Sequence, residues 1–494
     1  LTSSLMGSNS VLTLSGSNTF TGRVEINNGI VIANTIKNFG TDSSLGRGTS
    51  NSAITIGQTA GSGTLRYIGS GDTANRIFQI GVNSGTPGVG DTGGATIENA
   101  GSGALVLNAP IFNNQTGATN GAGADRTLTL RGTNTNANTI SGIIRDNIVS
   151  NTATGTARIG LIKTDTGKWI LGGTNTYTGS TVISNGTLQI GNGTDAGSIA
   201  TTVAITNNGA LVFNVGAGVR ALAAPISGTG SLAQDSAGGS LTLSGTNTYT
   251  GSTTVSTGTL TLATNGSMLF VIGGSGTNNG ISGTGTTVMN GKFAFDLTSA
   301  STNTNATWTV VANTLTNSYG TNFIVTGFSG AGGNWTNTTN GVNYVFAQST
   351  GVLSVQSTGS VTPYNAWVSY WQGIDSSFTN TAGTNNPDGD PFNNNMEFAF
   401  DGNPTIGSPA LLTATNVGTD AVFNYVALTN TNAATYQVQN TTNLASGPWT
   451  NSTVTISNST NQSGISQPNN YVRKEFVVPG TGSSFYRVQA TIAP

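Results

Sequence analysis

The residues best placed to do chemistry lie in one acidic segment near residue 390. The chain has 494 residues but only 18 Asp and Glu, and four of these fall between residues 388 and 401. Read from Asn386, "NPDGDPFNNNME" has oxygen-bearing groups at the ligand positions of an EF-hand-type calcium loop. The predicted ligands are Asn386, Asp388, Asp390, the backbone carbonyl of Phe392, Asn394 and Glu397.

Two features of this loop depart from the EF-hand pattern. Pro391 stands where the pattern has a glycine with positive φ, a conformation that proline cannot adopt, and Asn386 lowers the charge at the first position. Two interpretations remain open: a structural Ca²⁺ site with a different bend, and a rigid turn-rich linker without metal. We expect the Ca²⁺ site, and a single loop favours a staple between domains over a sensor.

Other catalytic chemistry has little support in the sequence. The chain contains no Cys and no His, which excludes thiolate metal sites, Cys nucleophiles and His-based triads. Isolated carboxylates occur along the first 290 residues, as Glu25, Asp72, Asp146 and Asp165. Because catalytic acid–base work usually needs two such groups together, we predict no catalytic residue and no enzyme. A polysaccharide-active enzyme stays the weakest alternative.

The composition favours a protein that packs against copies of itself. Charged residues make up 7% of the chain, against about 25% in ordinary globular proteins, and the net charge is −2. Such a surface has little electrostatic defence against association. The 16 Lys and Arg form no basic stripe for nucleic acid. No apolar run has the length of a membrane helix. The chain begins at Leu1 without a visible signal peptide, which we interpret as a processed or partial chain.

The elements that must position any site are short strands arranged in repeats. The phrase "GTNTYTG" occurs at residues 173–179 and 245–251, and "GSNTFTG" at 16–22. Each copy lies between alternating apolar and polar segments that end in a Gly turn, and a degenerate copy spans residues 127–146. One repeat of about twenty residues cannot bury its own apolar face, so stacking into a β-solenoid is predicted.

The aromatic residue of the phrase allows two interpretations. Phe20, Tyr177 and Tyr249 could stack on sugars as a ligand ladder, or each could close the core of its own coil at a corner. A ladder needs adjacent coils, and these copies lie far apart in sequence. We therefore expect a corner of the scaffold.

The phrase followed by "STTVSTGTLTL" resembles the autotransporter-associated β-strand repeat of large bacterial surface proteins. The resemblance implies a right-handed parallel β-helix and an extracellular or cell-surface location. The segments after residue 290, including "YQVQNTTNLASGPWT" and "SFYRVQA", resemble the C-terminal part of long secreted proteins of Verrucomicrobia and Planctomycetes. The acidic segment is similar to calcium loops of the same proteins.

Four segments are predicted in an all-β chain. Residues 1–290 form the β-solenoid, 291–360 a β-rich cap or small β-sandwich, 361–407 short helices with the calcium loop, and 408–494 a C-terminal β-sandwich.

The function expected is that of an extracellular structural protein. We predict the subunit of a self-assembling surface filament or sheath, joined to copies of itself through β-strand edges. The alternative is a monomeric adhesin or carbohydrate-binding stalk, with a surface polysaccharide as its partner.

Overall fold

The computed structural model describes two compact units, Leu1–Thr358 and Gly359–Pro494. The described residues are 2–4, 10–50, 52–58, 61–81, 93–113, 125–148, 156–194, 197–357, 368, 379, 382, 384–386, 393–400, 412–417, 420–429, 434–442, 448–463, 471–478 and 484–492. No helix within these ranges is long and apolar enough to cross a membrane.

The first unit consists of short strands throughout its described residues. Its strands are β1 (Thr2–Ser4), β2 (Val11–Leu14), β3 (Val24–Ala33), β4 (Ile54–Ile56), β5 (Gly63–Tyr67), β6 (Asp72–Ala74), β7 (Phe78–Ile80), β8 (Ala95–Asn99), β9 (Leu105–Leu107), β10 (Ile111–Asn113), β11 (Arg126–Arg131), β12 (Asn138–Ile140), β13 (Ile144–Arg145), β14 (Asn147–Ile148), β15 (Thr156–Ala157), β16 (Ile159–Lys163), β17 (Lys168–Leu171), β18 (Thr181–Ile183), β19 (Thr187–Ile190), β20 (Ile205–Asn207), β21 (Ala210–Phe213), β22 (Gly218–Leu222), β23 (Ile226–Ser227), β24 (Ser231–Leu243), β25 (Thr246–Asn247), β26 (Thr253–Leu262), β27 (Ser267–Val271), β28 (Ile281–Gly283), β29 (Thr286–Met289), β30 (Lys292–Asp296), β31 (Thr307–Thr309), β32 (Thr316–Tyr319), β33 (Ile324–Val325), β34 (Ser329–Ala331), β35 (Asn334–Thr339), β36 (Val342–Ala347) and β37 (Val352–Ser357).

Parallel pairing stacks these strands into rows, so the chain winds as a solenoid. One row runs β2-β3-β5-β8-β11-β16-β18-β20-β23, and a second runs β6-β9-β12-β17-β19-β21-β24-β26-β29-β32. β3 also begins a third row through β4, β7, β10 and β13. It can serve two rows because the chain turns at Gly29, whose φ is 74°.

We call the first of these rows the long row, because it continues beyond β23. The backbone N–H of Thr248 donates to the carbonyl of Ile226 at 2.8 Å, which joins β23 to the segment containing β25. From there the parallel order is β25-β27-β30-β33. The long row therefore extends from β2 to β33.

The length of one coil changes along the solenoid. Coils joined through β5, β8, β11 and β16 advance by 32 or 33 residues. From β16 to β27 the step is only 20 to 24 residues, and it lengthens again to 28–31 residues around β29. Added residues are accommodated in the turns, because the paired strands keep their register.

Alternation along each strand builds one continuous core. Strands such as β11 and β16 bury every second side chain, with the intervening ones half-exposed. The inward side chains form a single hydrophobic cluster from Val24 to Val355. Each buried Leu or Ile contributes about 1.5–3 kcal/mol relative to an exposed position.

An antiparallel sheet packs against aromatic residues at the C-terminal end of this core. Its order is β31-β37-β36-β35-β34, and Phe346 on β36 contacts Phe293 and Phe323 of the last coils. Parallel pairing itself extends past residue 290, as far as Val325. The placement of domain boundaries at 290 and 360 stays a prediction.

The second unit contains two antiparallel sheets and one described helix. Its elements are α1 (Asn394–Phe400), β38 (Leu412–Val417), β39 (Asp420–Leu428), β40 (Ala434–Thr441), β41 (Thr450–Asn451), β42 (Ile456–Asn458), β43 (Tyr471–Val478) and β44 (Phe485–Ile492). The sheets are β38-β39-β43-β42 and β41-β40-β44. Side chains of both sheets form one buried cluster, including Tyr425, Phe476 and Val438.

The predicted fold class is confirmed: the described residues are almost all β, with a parallel β-solenoid followed by β-sandwich-like antiparallel sheets. Strand geometry follows from the alternation of small β-branched and apolar residues. Of the short helices predicted within residues 361–407, the structure describes α1, and most of residues 361–392 lie outside the described ranges.

Candidate functional site

The asparagine of the repeated phrase joins three successive coils. Asn247 accepts a hydrogen bond from Ile226 N at 3.2 Å and donates to Gly245 O at 2.9 Å and Ser267 O at 3.0 Å. The amide is buried, at 1% exposure. One side chain thus satisfies polar backbone groups of the coil before, its own coil and the coil after.

The second copy repeats these contacts. Asn175 accepts from Ile144 N at 2.8 Å and donates to Gly173 O at 2.8 Å and Ser198 O at 2.9 Å. Two copies 72 positions apart along the sequence therefore use the same three bonds. Gly and Asn two residues apart form a structural unit of the corner.

The aromatic residue of the phrase is buried in the core. Tyr177 is 0% exposed and Tyr249 3% exposed. Each hydroxyl bonds the threonine four residues later, Tyr177 to Thr181 at 2.8 Å and Tyr249 to Thr253 at 2.5 Å. Burial raises the pKa of both phenols well above the ordinary value. The rings offer no face to a sugar, so the prediction of a scaffold corner is confirmed for these two copies.

The last glycine of the phrase lies directly against the preceding coil. A Cβ on Gly251 would stand 2.2 Å from Gly230 O, and one on Gly179 would stand 2.2 Å from Ile159 O. Both positions require glycine because the neighbouring backbone occupies the space of a side chain.

The first copy differs at the same positions. A Cβ on Gly22 would meet nothing within 4 Å. Asn18 donates forward to Ser44 O at 2.9 Å, and among the described residues no backward bond to a preceding coil is seen. Among the described residues, the first copy therefore lacks the contacts to a preceding coil that the inner copies make.

Three buried cationic side chains bind backbone carbonyls at other turns, and they were not predicted from the sequence. Lys163 donates to the carbonyls of Thr164, Asp165 and Asn185, the last two at 2.7 and 3.1 Å. Arg126 and Arg76 bind carbonyls of other turns in the same way. All three residues are 2% exposed or less. Burial lowers the pKa of Lys163 to about 8, and the nearby Asp165 opposes that shift.

The isolated carboxylates have structural partners. Asp72 accepts from Ile36 N at 2.8 Å and pairs with Lys37. Asp146 accepts from Ile159 N at 2.7 Å and from Thr178, the penultimate residue of the second phrase.

The remaining two carboxylates are also engaged in local contacts. Asp165 accepts from Gly132 N at 3.0 Å, and Glu25 pairs with Arg23 at 3.3 Å. Within the described ranges, no group of three or more Asp and Glu side chains is placed to hold a metal ion.

The predicted calcium ligands are only partly described. Asp388, Asp390 and Phe392 lie outside the described residues. Asn394 begins α1 and Glu397 lies one turn later, and both side chains are buried. Asn386 is exposed.

Asn394 ties the start of α1 to the chain before it. Its backbone N–H donates to Asn385 O and its side-chain amide to Ala382 O, both at 2.9 Å. Asn394 and Glu397 lie three residues apart and so share one helix face. Their amide and carboxylate oxygens are the hard ligands that Ca²⁺ prefers.

Comparison with known proteins identifies the corner as part of a known repeat. The model of the passenger-associated-transport-repeat matches residues 9–33, 161–190 and 238–262, which contain the three phrases. Three segments of the chain are therefore similar to this repeat, which together with the adhesin relative described next indicates a bacterial cell-surface or extracellular protein.

One similar protein is the adhesin BmaC autotransporter of Brucella suis biovar 1 (strain 1330). It is 37% identical over 185 residues, which is 36% of this chain and 4% of that protein. The chain thus spans a small part of its relative's length. No solved structure matches the chain.

Proposed function

We propose that the chain is a structural protein of the bacterial surface whose copies join end to end through the long row. The observation that carries the proposal is that the two end strands of this row, β2 and β33, each pair with a single strand among the described residues. A strand of a second copy would complete the pairing of each.

The two ends of the long row support this mode of joining. Among the described residues, β2 has one strand neighbour, β3, and β33 has one, β30. Val11 on β2 is 53% exposed and Ile324 on β33 is 41% exposed. Both side chains lie on the outer face of their strands. Joining β2 of one copy to β33 of the next would place them side by side on that face and pair two strand edges. Contact between two different surfaces propagates into a filament, whereas a self-complementary contact closes as a dimer.

The test compares assembly of the purified chain with that of edge variants. Negative-stain images and sedimentation should show filaments for the native chain, and Val11→Lys or Ile324→Lys should leave single particles. Val203→Lys is the control, because Val203 is 55% exposed but lies outside the strands. Single particles of the native chain at all concentrations, or equal assembly of all variants, would contradict the proposal.

An adhesin acting as a single chain is the second candidate, favoured by the similarity to a protein named as an adhesin. If this candidate is right, beads coated with the monomeric chain should attach to a target surface as strongly as beads coated with the assembled chain. A non-enzymatic role agrees with the structural bonds of Asp72 and Asp146. The lack of any product after incubation with acidic polysaccharides would support it, and released oligosaccharides would overturn it.

We also propose that Ca²⁺ stabilises the second unit through the acidic segment. Asn394 and Glu397 would contribute from the first turn of α1, together with Asn386, Asp388, Asp390 and the Phe392 carbonyl. When bound, the ion would neutralise the carboxylates and hold the loop against the helix.

A further inference from the structure

A cleft of about 480 Å³ opens in the second unit at one end of its core. Its walls come from both sheets, with Ala427 and Leu428 of β39 on one side and Ala434 of β40 on the other. Clefts that bind small molecules typically enclose about 300–1,000 Å³. This cleft therefore has room for a compact ligand, and none of the side-chain contacts described above fills it.

A lysine interrupts the apolar face at this cleft. On β43, Val472, Lys474 and Phe476 point to the same side, because strand side chains alternate. Phe476 is 1% exposed in the core between the sheets. Lys474 pairs directly with Tyr425 of that same core. A cation on the inner face of a β-sandwich breaks the expected pattern, and such breaks are typical of functional positions.

The charge of Lys474 is not neutralised by the described residues. Its ammonium donates to Asn458 Oδ1 at 2.7 Å. Within the part of the chain that the structure describes, no carboxylate oxygen lies within 4.0 Å of it. A partly buried cation beside an amide is a setting for a carboxylate ligand, since charge-assisted hydrogen bonds are the stronger class.

The rest of the lining indicates what the carboxylate would be attached to. Tyr436, which is half-buried, lines the cleft beside the almost wholly buried Tyr425, and Thr429 and Thr435 are exposed at its rim. Aromatic and aliphatic walls suit the C–H face of a sugar ring, and threonine and asparagine groups suit its hydroxyls.

We propose that this cleft binds an acidic sugar residue, a hexuronate, with its carboxylate on Lys474 and Asn458. The cleft would attach the second unit to an acidic surface polysaccharide. The proposal does not depend on filament formation, which concerns only the strands of the first unit.

The test is calorimetric titration of the full chain with digalacturonate, and with the matching neutral digalactoside as a comparison ligand. Saturable binding of the acidic sugar is expected, at least about tenfold tighter than that of the neutral one, which corresponds to about 1.4 kcal/mol. Affinity should fall as salt is raised, because the contact is partly exposed.

Variants locate the binding at the cleft. Lys474→Gln should lower affinity at least about tenfold, whereas Lys474→Arg should retain most of it. Lys292→Gln, an exposed lysine of the first unit, should bind as the native chain does. Melting curves establish that each variant is folded.

Three results would overturn the proposal. These are the absence of saturation with digalacturonate, equal affinity of the Lys474→Gln and native chains, and equally tight binding of acetate. The last result would mean that charge alone is recognised and not a sugar.

Discussion

At the scale of single residues, the corner asparagine decides how coils are held together. Asn247→Ala would remove three buried hydrogen bonds and leave Ile226 N, Gly245 O and Ser267 O without that partner. Unsatisfied buried groups cost about 1–3 kcal/mol each, partly offset by relaxation. We expect the free energy of unfolding to fall by about 2–4 kcal/mol in denaturant titrations. Asn18→Ala, at the same place in the first copy, should cost less, and equal losses would contradict the three-coil role.

A second residue-scale prediction concerns pH. The pKa of Lys163 is about 8 in the folded chain, against an ordinary 10.5, because of burial. Between these values the unfolded chain binds more protons, so this group makes stability rise with pH. The stability of the native chain relative to Lys163→Met should therefore increase from about pH 7.5 to 9.5. Chemical denaturation at each pH measures it, with the exposed Lys292→Met as control. If the difference in free energy of unfolding between the native chain and Lys163→Met were constant with pH, the lowered pKa of Lys163 would be refuted.

Residue roles were only partly predictable from the sequence. The repeated Gly-x-Asn spacing indicated a corner, and the structure supplies the reason, since the amide reaches backbone groups on both sides. Lys163, Arg126 and Arg76 gave no signal, because their burial depends on carbonyls contributed by distant turns. The break of alternation at Lys474 was visible in "YVRKEFVV", but only the pairing with Tyr425 gives it meaning.

At the scale of elements, the close approach of neighbouring coils can be tested by substituting Gly251, the glycine that ends the third phrase. Gly251→Ala would place a methyl group 2.2 Å from Gly230 O. Backbone must then shift, at a cost of about 1–3 kcal/mol. Gly22→Ala is the matched control, because nothing lies within 4 Å of its Cβ, and it should be neutral or slightly stabilising. Denaturant midpoints that fall equally in both variants would contradict this account.

Strand alternation predicted the elements of the solenoid, but their stacking was harder to read. One phrase with its flanking strands spans about twenty residues, which suggests a repeat of this length. Complete phrases are not contiguous, so their spacing could not reveal the true length of each coil. The structure contains that step between β16 and β27 and longer steps before and after it. Turn residues vary in number without altering the strand register, and a sequence period is lost wherever they do.

At the scale of the whole molecule, the calcium proposal predicts a ligand-dependent melting temperature. Binding to the folded chain alone adds about 2.7 kcal/mol at a calcium concentration 100 times Kd. Melting curves of the full chain should move upward with Ca²⁺ and return with EGTA. Glu397→Gln should abolish the response, and Glu475→Gln should keep it. Superimposable melting curves of the native chain with Ca²⁺ and with EGTA would contradict the proposed calcium site.

The changing coil length has a mechanical consequence. Each coil is bonded mainly to its two neighbours, so a pulled solenoid should unravel from an end, coil by coil. A released coil of 33 residues lengthens the tether by about 115 Å, and one of 20 residues by about 70 Å. Single-molecule extension traces should therefore contain two classes of step. A surface fibre built this way would lengthen in discrete steps under shear. Each step would dissipate work while the remaining coils stay folded.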